Sequence, residues 1–535
     1  MPIQFHYLPY SDTGYFSNLV NDYLHQSETL TPFYTFSPDL KGMQQAIEAR
    51  SKYPVDRSTL VSVLQKQYKQ LPAYIPVQQN IALLADENTF TVCTAHQPNL
   101  MTGYLYFIYK IIHAIKLAEV LKEQFPEKNF VPVYYMGSED NDLEELGTFQ
   151  YESRKFVWEA GGQTGAVGRM STESLKPLIA DLFKLLGPPG KNLDVLKEII
   201  EQAYFHHQTI ADATQYLVNE LFGRYGLVVL NPDEAALKKN YIAIMKEDLL
   251  LNTANTIVTE QVAQLGEHYK IQAHPRLINL FYLNDQLRER IEKVDGYWHV
   301  LNTDIRWNEK ELMAEVDAHP ERFSPNVILR GMFQETILPD VAFIGGGAEV
   351  AYWLQLKTLF EHYEVFFPAI HLRQSALWID APEERLRCQL QFSIPDIFKS
   401  ELDLIRAYIT THGEGDWQTG AESRAIEAIL GELKQKATEL DVTLKASAEA
   451  VVAKVKYQLQ VLEKKMLRAE KRKMQTQLLK ITRLKESLFP KRGLQERVGN
   501  FMPWFLNYGY EYFDLLKAEM HPFDPQFLVV IHSKV

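Results

Sequence analysis

The stretch "TFTVCTAHQPNLMTGYLYFIYKIIHAIKLAEVLKEQF" (Thr89–Phe125), followed after a short link by "FVPVYYMGS" (Phe130–Ser138), decides the fold. "TFTVCTA" is rich in β-branched residues and bounded by polar ones, which reads as a buried strand. "YLYFIYKIIHAIKLAEVLKEQF" repeats its apolar residues at three- and four-residue steps and reads as an amphipathic helix. "FVPVYYMGS" is a second short apolar strand. Strand, helix, strand in this order is a βαβ unit, which implies a parallel sheet with right-handed crossovers.

The same pattern continues along the chain. "GLVVLNPD" is a strand candidate with the helix "EAALKKNYIAIMKEDLL" behind it. "VAFIGGG" precedes the helix "EVAYWLQLKTLFEHY", and "EVFFPAIHLR" follows. We therefore expect an α/β protein whose open parallel sheet occupies residues 91–380 and carries helical insertions at about 150–215 and 250–320. Residues 1–90, with "MQQAIEARSKY" and "STLVSVLQKQYKQL", read as a helical region packed on that core. Residues 381–490 form a separate helical unit. Residues 491–535, which end in "QFLVVIHS" and a few further residues, are expected to return to the main body.

The helical unit has a coiled-coil texture. Leu433, Ala437, Leu440 and Leu444 follow alternating four- and three-residue steps, and Ala448, Val452, Val455, Leu459, Leu462, Met466 and Ala469 do so in another phase. The phase breaks at "ELDVTLKAS", where Asp441 and Thr443 are good capping residues. An antiparallel hairpin with a longer second arm fits this, as does one continuous helix with a phase slip. The basic run "KKMLRAEKRKMQ" is either a solvated face or a surface for a polyanion.

The 535 residues are 46% hydrophobic and 23% charged, with a net charge of −12. That balance argues against nucleic-acid binding by bulk electrostatics. Two cysteines, Cys93 and Cys388, are too few for a disulfide framework. They fit a reducing, cytoplasmic setting, and both are expected to be buried and structural. The N-terminus lacks the pattern of a signal peptide. No apolar run approaches the ~20 residues of a membrane helix.

Three strand-to-helix junctions carry chemistry-bearing residues, and in open α/β sheets ligands bind beyond the carboxyl ends of the strands. At the first, His96, Gln97, Asn99, Thr102 and Gly103 offer an imidazole, two amides and a helix start near Thr102, where backbone N–H groups suit an anion. Lys110 lies two turns into the helix, where it is expected to point elsewhere. At the second, "GSEDNDLEEL" holds Ser138 and five carboxylates in seven positions, Glu139 to Glu145. Such a cluster binds either the amine of a substrate or Mg²⁺ accompanying a nucleotide. Its spacing is not that of a calcium loop, and nothing in the sequence points to a structural metal. At the third, Gly345, Gly346 and Gly347 allow a backbone to approach a ligand, and Glu349 begins a helix. There is no G-K-[ST] ending as in a phosphate-binding P-loop.

Taken together, "HQPNLMTGYLYFIYK", "PVYYMGSEDNDLEEL", "LVVLNPD", "FSPNVILRGMFQETILPDVAFIGGGAEVAYWLQLK", "LEKKMLRAEKRK" and "LFPKRGLQERVGNF" resemble the BshC family of bacillithiol biosynthesis, the cysteine-adding enzymes, over nearly the whole chain. The family commonly has Gln-Gln where this chain has His96-Gln97, a histidine in place of Asn141, and a Gly-Gly-Pro pattern in place of Gly345–Gly347. The resemblance implies a Rossmann-like core related to class I aminoacyl-tRNA synthetases and a coiled coil that makes a homodimer. It also implies a ligase that joins the carboxyl group of cysteine to the amine of glucosaminyl malate, the last step of the pathway.

A carboxylate is a poor acylating agent, so ATP activation, as an adenylate or acyl phosphate, is expected. On this reading Glu139, Asp140 and Asp142 bind and deprotonate the amine, and His96 and the glycine loop handle anionic groups. Arg330, Arg373 and Ser375 are candidates for carboxylate recognition. Tyr508 and Gly509 offer an aromatic face for a nucleotide base. Two other classes compete: an adenylating or transferase enzyme acting on another carboxylate, and a non-catalytic coiled-coil dimerisation protein.

Overall fold

A computed structural model describes residues 3–413 and 420–532, with the backbone alone at Glu470. Five strands form the central sheet: β1 (Thr89–His96), β2 (Asn129–Met136), β3 (Val228–Leu230), β4 (Asp340–Gly345) and β5 (Ala369–Leu372). Every neighbouring pair is parallel, and the order is β5-β4-β1-β2-β3. This is the Rossmann order, in which the winding reverses between β1 and β4. The strands are buried on both faces, which is why they read as continuous apolar runs.

Helix α1 (Leu105–Gln124) is the crossover between β1 and β2. It was expected to be amphipathic, yet every residue from Phe107 to Ile115 is buried. Its first turns carry no polar face because the sheet covers one side and the C-terminal helix Glu511–Glu519 packs on the helix as well. The connection after β2 holds a two-stranded antiparallel hairpin, Thr148–Tyr151 with Arg154–Val157, and continues as the expected helices Lys176–Leu185, Lys191–His206 and Ile210–Phe222. The next connection holds the helix Thr253–Gly266 and also a five-stranded antiparallel sheet spanning residues 280–325. One signal for that sheet lies in the chain: Asp295 and Gly296, both with positive φ, close the hairpin between Leu287–Val294 and Tyr297–Val300.

The helical unit is a hairpin. Helix α2 (Gly420–Leu440) is followed by α3 (Lys445–Lys473), and the turn is capped by Asp441, whose side chain accepts from the Thr443 amide at 2.8 Å. Lys434 pairs with Glu449 at 2.7 Å and Lys456 with Glu427 at 2.8 Å, so the arms run in opposite senses. On α3 the repeat positions Ala448, Val452, Val455, Leu459 and Met466 are shielded, but Leu462 and Ala469, expected in the same seam, are exposed, and Val461 and Leu467 are half-buried instead. On α2 the shielded apolar positions are Ile426, Leu430 and Ala437, while Leu433, Leu440 and, in the turn, Leu444, all expected in the seam, are 55%, 84% and 42% exposed.

The chain then returns to the body. Gln526–His532 pairs antiparallel with Ile3–Pro9 and parallel with Ala376–Ile379. Cys93 is buried in β1, but Cys388, expected to be buried, is exposed, its thiol 3.2 Å from Glu384 Oε1.

A buried ion pair secures this return. Just past β5, Arg373 donates from Nη1 to Glu496 Oε2 (2.9 Å) and from Nη2 to Oε1 (2.6 Å), and Nη1 also reaches Ser375 Oγ at 3.0 Å. Arg373 is 3% exposed and Glu496 is not exposed at all. The Tyr10 hydroxyl accepts from the Ser375 amide at 3.0 Å, adding the N-terminal segment to the clamp. Replacing Glu496 by Gln should leave a buried guanidinium without its countercharge and cost about 3–5 kcal/mol. Urea unfolding measures this, and the double change Arg373→Met with Glu496→Leu should recover most of the loss.

Candidate active site

A crevice of about 650 Å³ opens beyond the carboxyl ends of β1, β2 and β4, at the point where the sheet order reverses. Its lining includes His96, Gln97, Tyr106, Lys110, Ser138, Glu139, Asp140, Glu145, Arg288, Arg330, Glu349 and Tyr352. The three junctions singled out in the sequence therefore do meet, though not with every residue expected.

Lys110 forms part of the wall. It is 2% exposed, donates to Ala95 O at 2.7 Å and pairs with Glu349 Oε2 at 2.5 Å. Burial lowers its pKa, with Glu349 opposing that shift. Tyr106 and Lys110 are four residues apart on α1 and line the same crevice, a helical spacing that could have revealed them. Glu349 Oε2 also accepts from the Gly346 amide at 2.8 Å, reaching back from the first turn of the helix Gly347–Trp353 to the amide that precedes it. Arg330 is held by Tyr352, whose hydroxyl lies 2.6 Å from Nη2, and by Gln334 Oε1 at 3.3 Å from Nη1.

His96 packs between the rings of Tyr106 and Phe107, with centroids 5.3 and 5.5 Å away. Its Nε2 is buried and has no hydrogen-bond partner among the described residues. Burial, then the charges of Lys110, Arg373 and Arg330, hold its pKa well below the usual histidine range. The imidazole is therefore neutral near pH 7 and meets a ligand as a hydrogen-bonding group, not as a cation.

The acidic cluster divides three ways. Glu139 is fully engaged: one oxygen is paired with the buried Lys238, and the other accepts from Ser324 Oγ at 3.1 Å. Asp142 is exposed and caps the short helix Leu143–Leu146, accepting from the Glu145 amide at 3.0 Å. Asp140 is half-buried in the crevice, and Gln97 Nε2 donates to its Oδ2 at 3.1 Å. Ser138 donates to Asn231 Oδ1 at 2.6 Å. Asn141 accepts from Arg288 Nη1 at 3.0 Å, and Arg288 lines the crevice.

Several expected residues lie elsewhere. Helix α1 starts at Leu105, three residues past Thr102, and the Leu105 amide is already bonded to Gly499 O at 2.9 Å. Asn99, Thr102 and Gly103 form a buried loop tied down by Asn500, whose Nδ2 donates to Met101 O and Gly103 O. Gly103 has φ +65°, and a Cβ there would come within 2.9 Å of the Asn99 side chain. The anion-receiving helix start at Thr102 is thus absent, because its amide donates to Asn99 O at 3.1 Å. Arg373 and Ser375 recognise a carboxylate, but it is the chain's own Glu496. Gly345, Gly346 and Gly347 shape the turn after β4, and none of the three lines the crevice. Tyr508 sits against Trp378 and His532, and Gly509 ends the helix Met502–Tyr508, both outside the crevice lining. Among the described residues no group of three or more His, Cys, Asp or Glu side chains is placed to hold a metal ion. No helix there is long and apolar enough to cross a membrane.

Comparison with known proteins adds a family. Residues 3–374 match the model of the bacillithiol biosynthesis BshC N-terminal Rossmann-like domain, and residues 376–532 match that of the BshC C-terminal coiled-coil domain. A protein of Flavobacterium psychrophilum is 39% identical over 529 residues, covering 98% of this chain and 99% of its own. One from Flavobacterium johnsoniae is 38% identical, with the same coverage. One from Cytophaga hutchinsonii is 39% identical, covering 93% of each chain. All three carry the name "Putative cysteine ligase BshC".

The depressed pKa of His96 has a measurable sign. The unfolded chain takes up a proton near pH 6.5 and the folded one does not, so this residue's contribution to stability is lost as pH falls below about 6.5. His96→Gln should flatten that part of the stability curve. Ring ¹⁵N shifts should still report a neutral imidazole at pH values where an ordinary histidine is protonated.

Proposed function

This chain belongs to the BshC family of bacillithiol biosynthesis, and from that premise we propose that it is a cytoplasmic, ATP-dependent ligase joining the cysteine carboxyl group to the amine of glucosaminyl malate. The observation that carries this reading is one crevice holding two fixed cations, Lys110 and Arg330, together with a carboxylate oriented by an amide, Asp140 with Gln97. Amide formation needs both kinds of group. Cations stabilise negative charge on the acyl oxygen and on the departing phosphate, and a base takes a proton from the attacking amine.

A nucleoside triphosphate supplies the leaving group that a carboxylate lacks. In our reading Lys110 and Arg330 hold the anionic groups, with Mg²⁺ as an accompanying ion. The neutral imidazole of His96 offers one hydrogen bond at the crevice wall. The amine nitrogen attacks the activated carbonyl carbon, the bond from that carbon to the leaving oxygen breaks, and that oxygen departs with the electron pair. Asp140 accepts the nitrogen's proton. Glu139, closed off by Lys238 and Ser324, and Asp142, a helix cap, position the loop around Asp140 and take no proton.

The hairpin supports assembly as a homodimer. Ile429, Leu433, Leu440, Val442, Val451, Tyr457 and Leu462 are all at least half exposed on it, more apolar surface than a monomer usually leaves to water. Light scattering should give the mass of two chains for the wild type. Leu433→Glu with Leu440→Glu should give one.

Purified protein supplied with cysteine, glucosaminyl malate, ATP and Mg²⁺ should yield the amide-linked thiol, detected by mass. Asp140→Asn should lower kcat by about 10²–10⁴-fold, the range for a lost general base, with unchanged thermal unfolding. Near-normal turnover by that variant would overturn the role given to Asp140.

A further inference from the structure

A second chamber of about 500 Å³ adjoins the crevice, and Gln272 and Ala348 line both. Its walls come from the N-terminal segment at Tyr15–Val20, the loop His268–Gln272, the helix after β4, and Arg497. None of these residues has a part in the chemistry described above.

The chamber's charge is one-sided. Its lining includes Lys270, Arg497 and His268 but no Asp or Glu. Among the described residues, no carboxylate lies within ion-pairing distance of Lys270 or Arg497. In a chain of net charge −12, an acid-free hollow with two uncompensated cations is an electrostatic trap for an anion. A guanidinium and an ammonium together suit carboxylate or phosphate oxygens. The aromatic wall is Tyr15, stacked on Phe489 with centroids 5.4 Å apart and planes 1° apart.

The walls are built rather than loose. Tyr269 donates to Asp22 Oδ2 at 2.7 Å. The Gln272 and Ala273 amides both donate to Oε1 of the buried Gln355, at 2.9 and 3.1 Å, and Gln355 Nε2 returns a bond to Ala273 O at 2.6 Å. Arg497 is positioned by its neighbour: Glu496 is held inside by Arg373, and the exposed Arg497 lines the chamber.

We propose that this chamber is an anion subsite of the crevice, taking a carboxylate or phosphate on the same molecule whose reactive end lies beside Lys110 and Asp140. The proposal rests on the reading of the crevice as the site of acyl transfer. It makes Lys270 and Arg497 specificity-determining residues that touch the remote, charged end of a reactant.

The test is calorimetric binding to the full chain and to Lys270→Gln with Arg497→Gln, two exposed positions. The probes are glucosaminyl malate, methyl glucosaminide (which keeps the amine but lacks the malate carboxylates), ATP and adenosine. A loss of at least about tenfold in affinity for glucosaminyl malate, with methyl glucosaminide unaffected, supports the subsite and assigns it to carboxylates. The same loss for ATP, with adenosine unaffected, supports it and assigns it to phosphates. Equal affinities of variant and wild type for both anions overturn it, as does a wild type that binds neither. Turnover separates the two readings. Anion binding through these residues without amide product would sink the ligase reading and keep the subsite. Normal product formation and unchanged anion affinity in the variant would sink the subsite alone.

Discussion

Lys110 carries a positive charge almost entirely out of water, and the groups that make this tolerable come from both sides of the point where the sheet reverses. Ala95 O belongs to the end of β1, and Glu349 belongs to the helix that follows β4. An unpaired buried ammonium would cost several kcal/mol, so the two strand ends are held at the spacing the ammonium requires. Glu349 is committed twice, since its other bond fixes the amide of Gly346 and with it the turn after β4. The crevice is the space left between these constrained parts. The same charge, added to burial, keeps His96 neutral.

Much of this framework was legible in the chain because parallel strands buried on both faces leave a strong local signal. Each of the five strands falls within an apolar run seen in the sequence or extends it by one residue, and the crevice lies where the strand ends were expected to converge. Lys110 escaped because a lysine two turns into a helix is ordinarily solvated, and only the closed packing around α1 turns it inward. Arg373 and Ser375 show a different limit. Their chemistry was anticipated correctly, but their carboxylate stands more than a hundred residues away in Glu496, and no local pattern announces such a partner. The acidic cluster shows a third limit. Its five side chains read alike in the sequence, whereas the fold gives three of them different partners: Glu139 bonds to Lys238, Asp142 to a helix amide, and Asp140 to Gln97.

The hairpin and the crevice place different demands on the sequence. Along α2, heptad spacing marks apolar positions without saying which of two faces they serve, and Leu433 and Leu440 proved to lie on the outer one. In the crevice, by contrast, polar residues are individually fixed by hydrogen bonds. The aromatic pair Tyr15–Phe489 links the hairpin to the chamber beside the crevice, since Phe489 follows directly on the helix Gln475–Leu488 that carries the hairpin and Tyr15 lines the chamber.

The pairing of Ile3–Pro9 with Gln526–His532 has a bearing on how the molecule comes into being. A ribosome releases the first of these segments more than five hundred residues before the second. Throughout synthesis the early strand therefore waits with its hydrogen-bonding edge open, and the closure entropy of joining it to its partner is among the largest the chain can incur. The Rossmann sheet can assemble as its strands emerge in turn. The Arg373–Glu496 clamp and the three-stranded sheet close late, so an unfinished or truncated chain exposes an unpaired strand edge, the feature that chaperones guard and aggregation exploits.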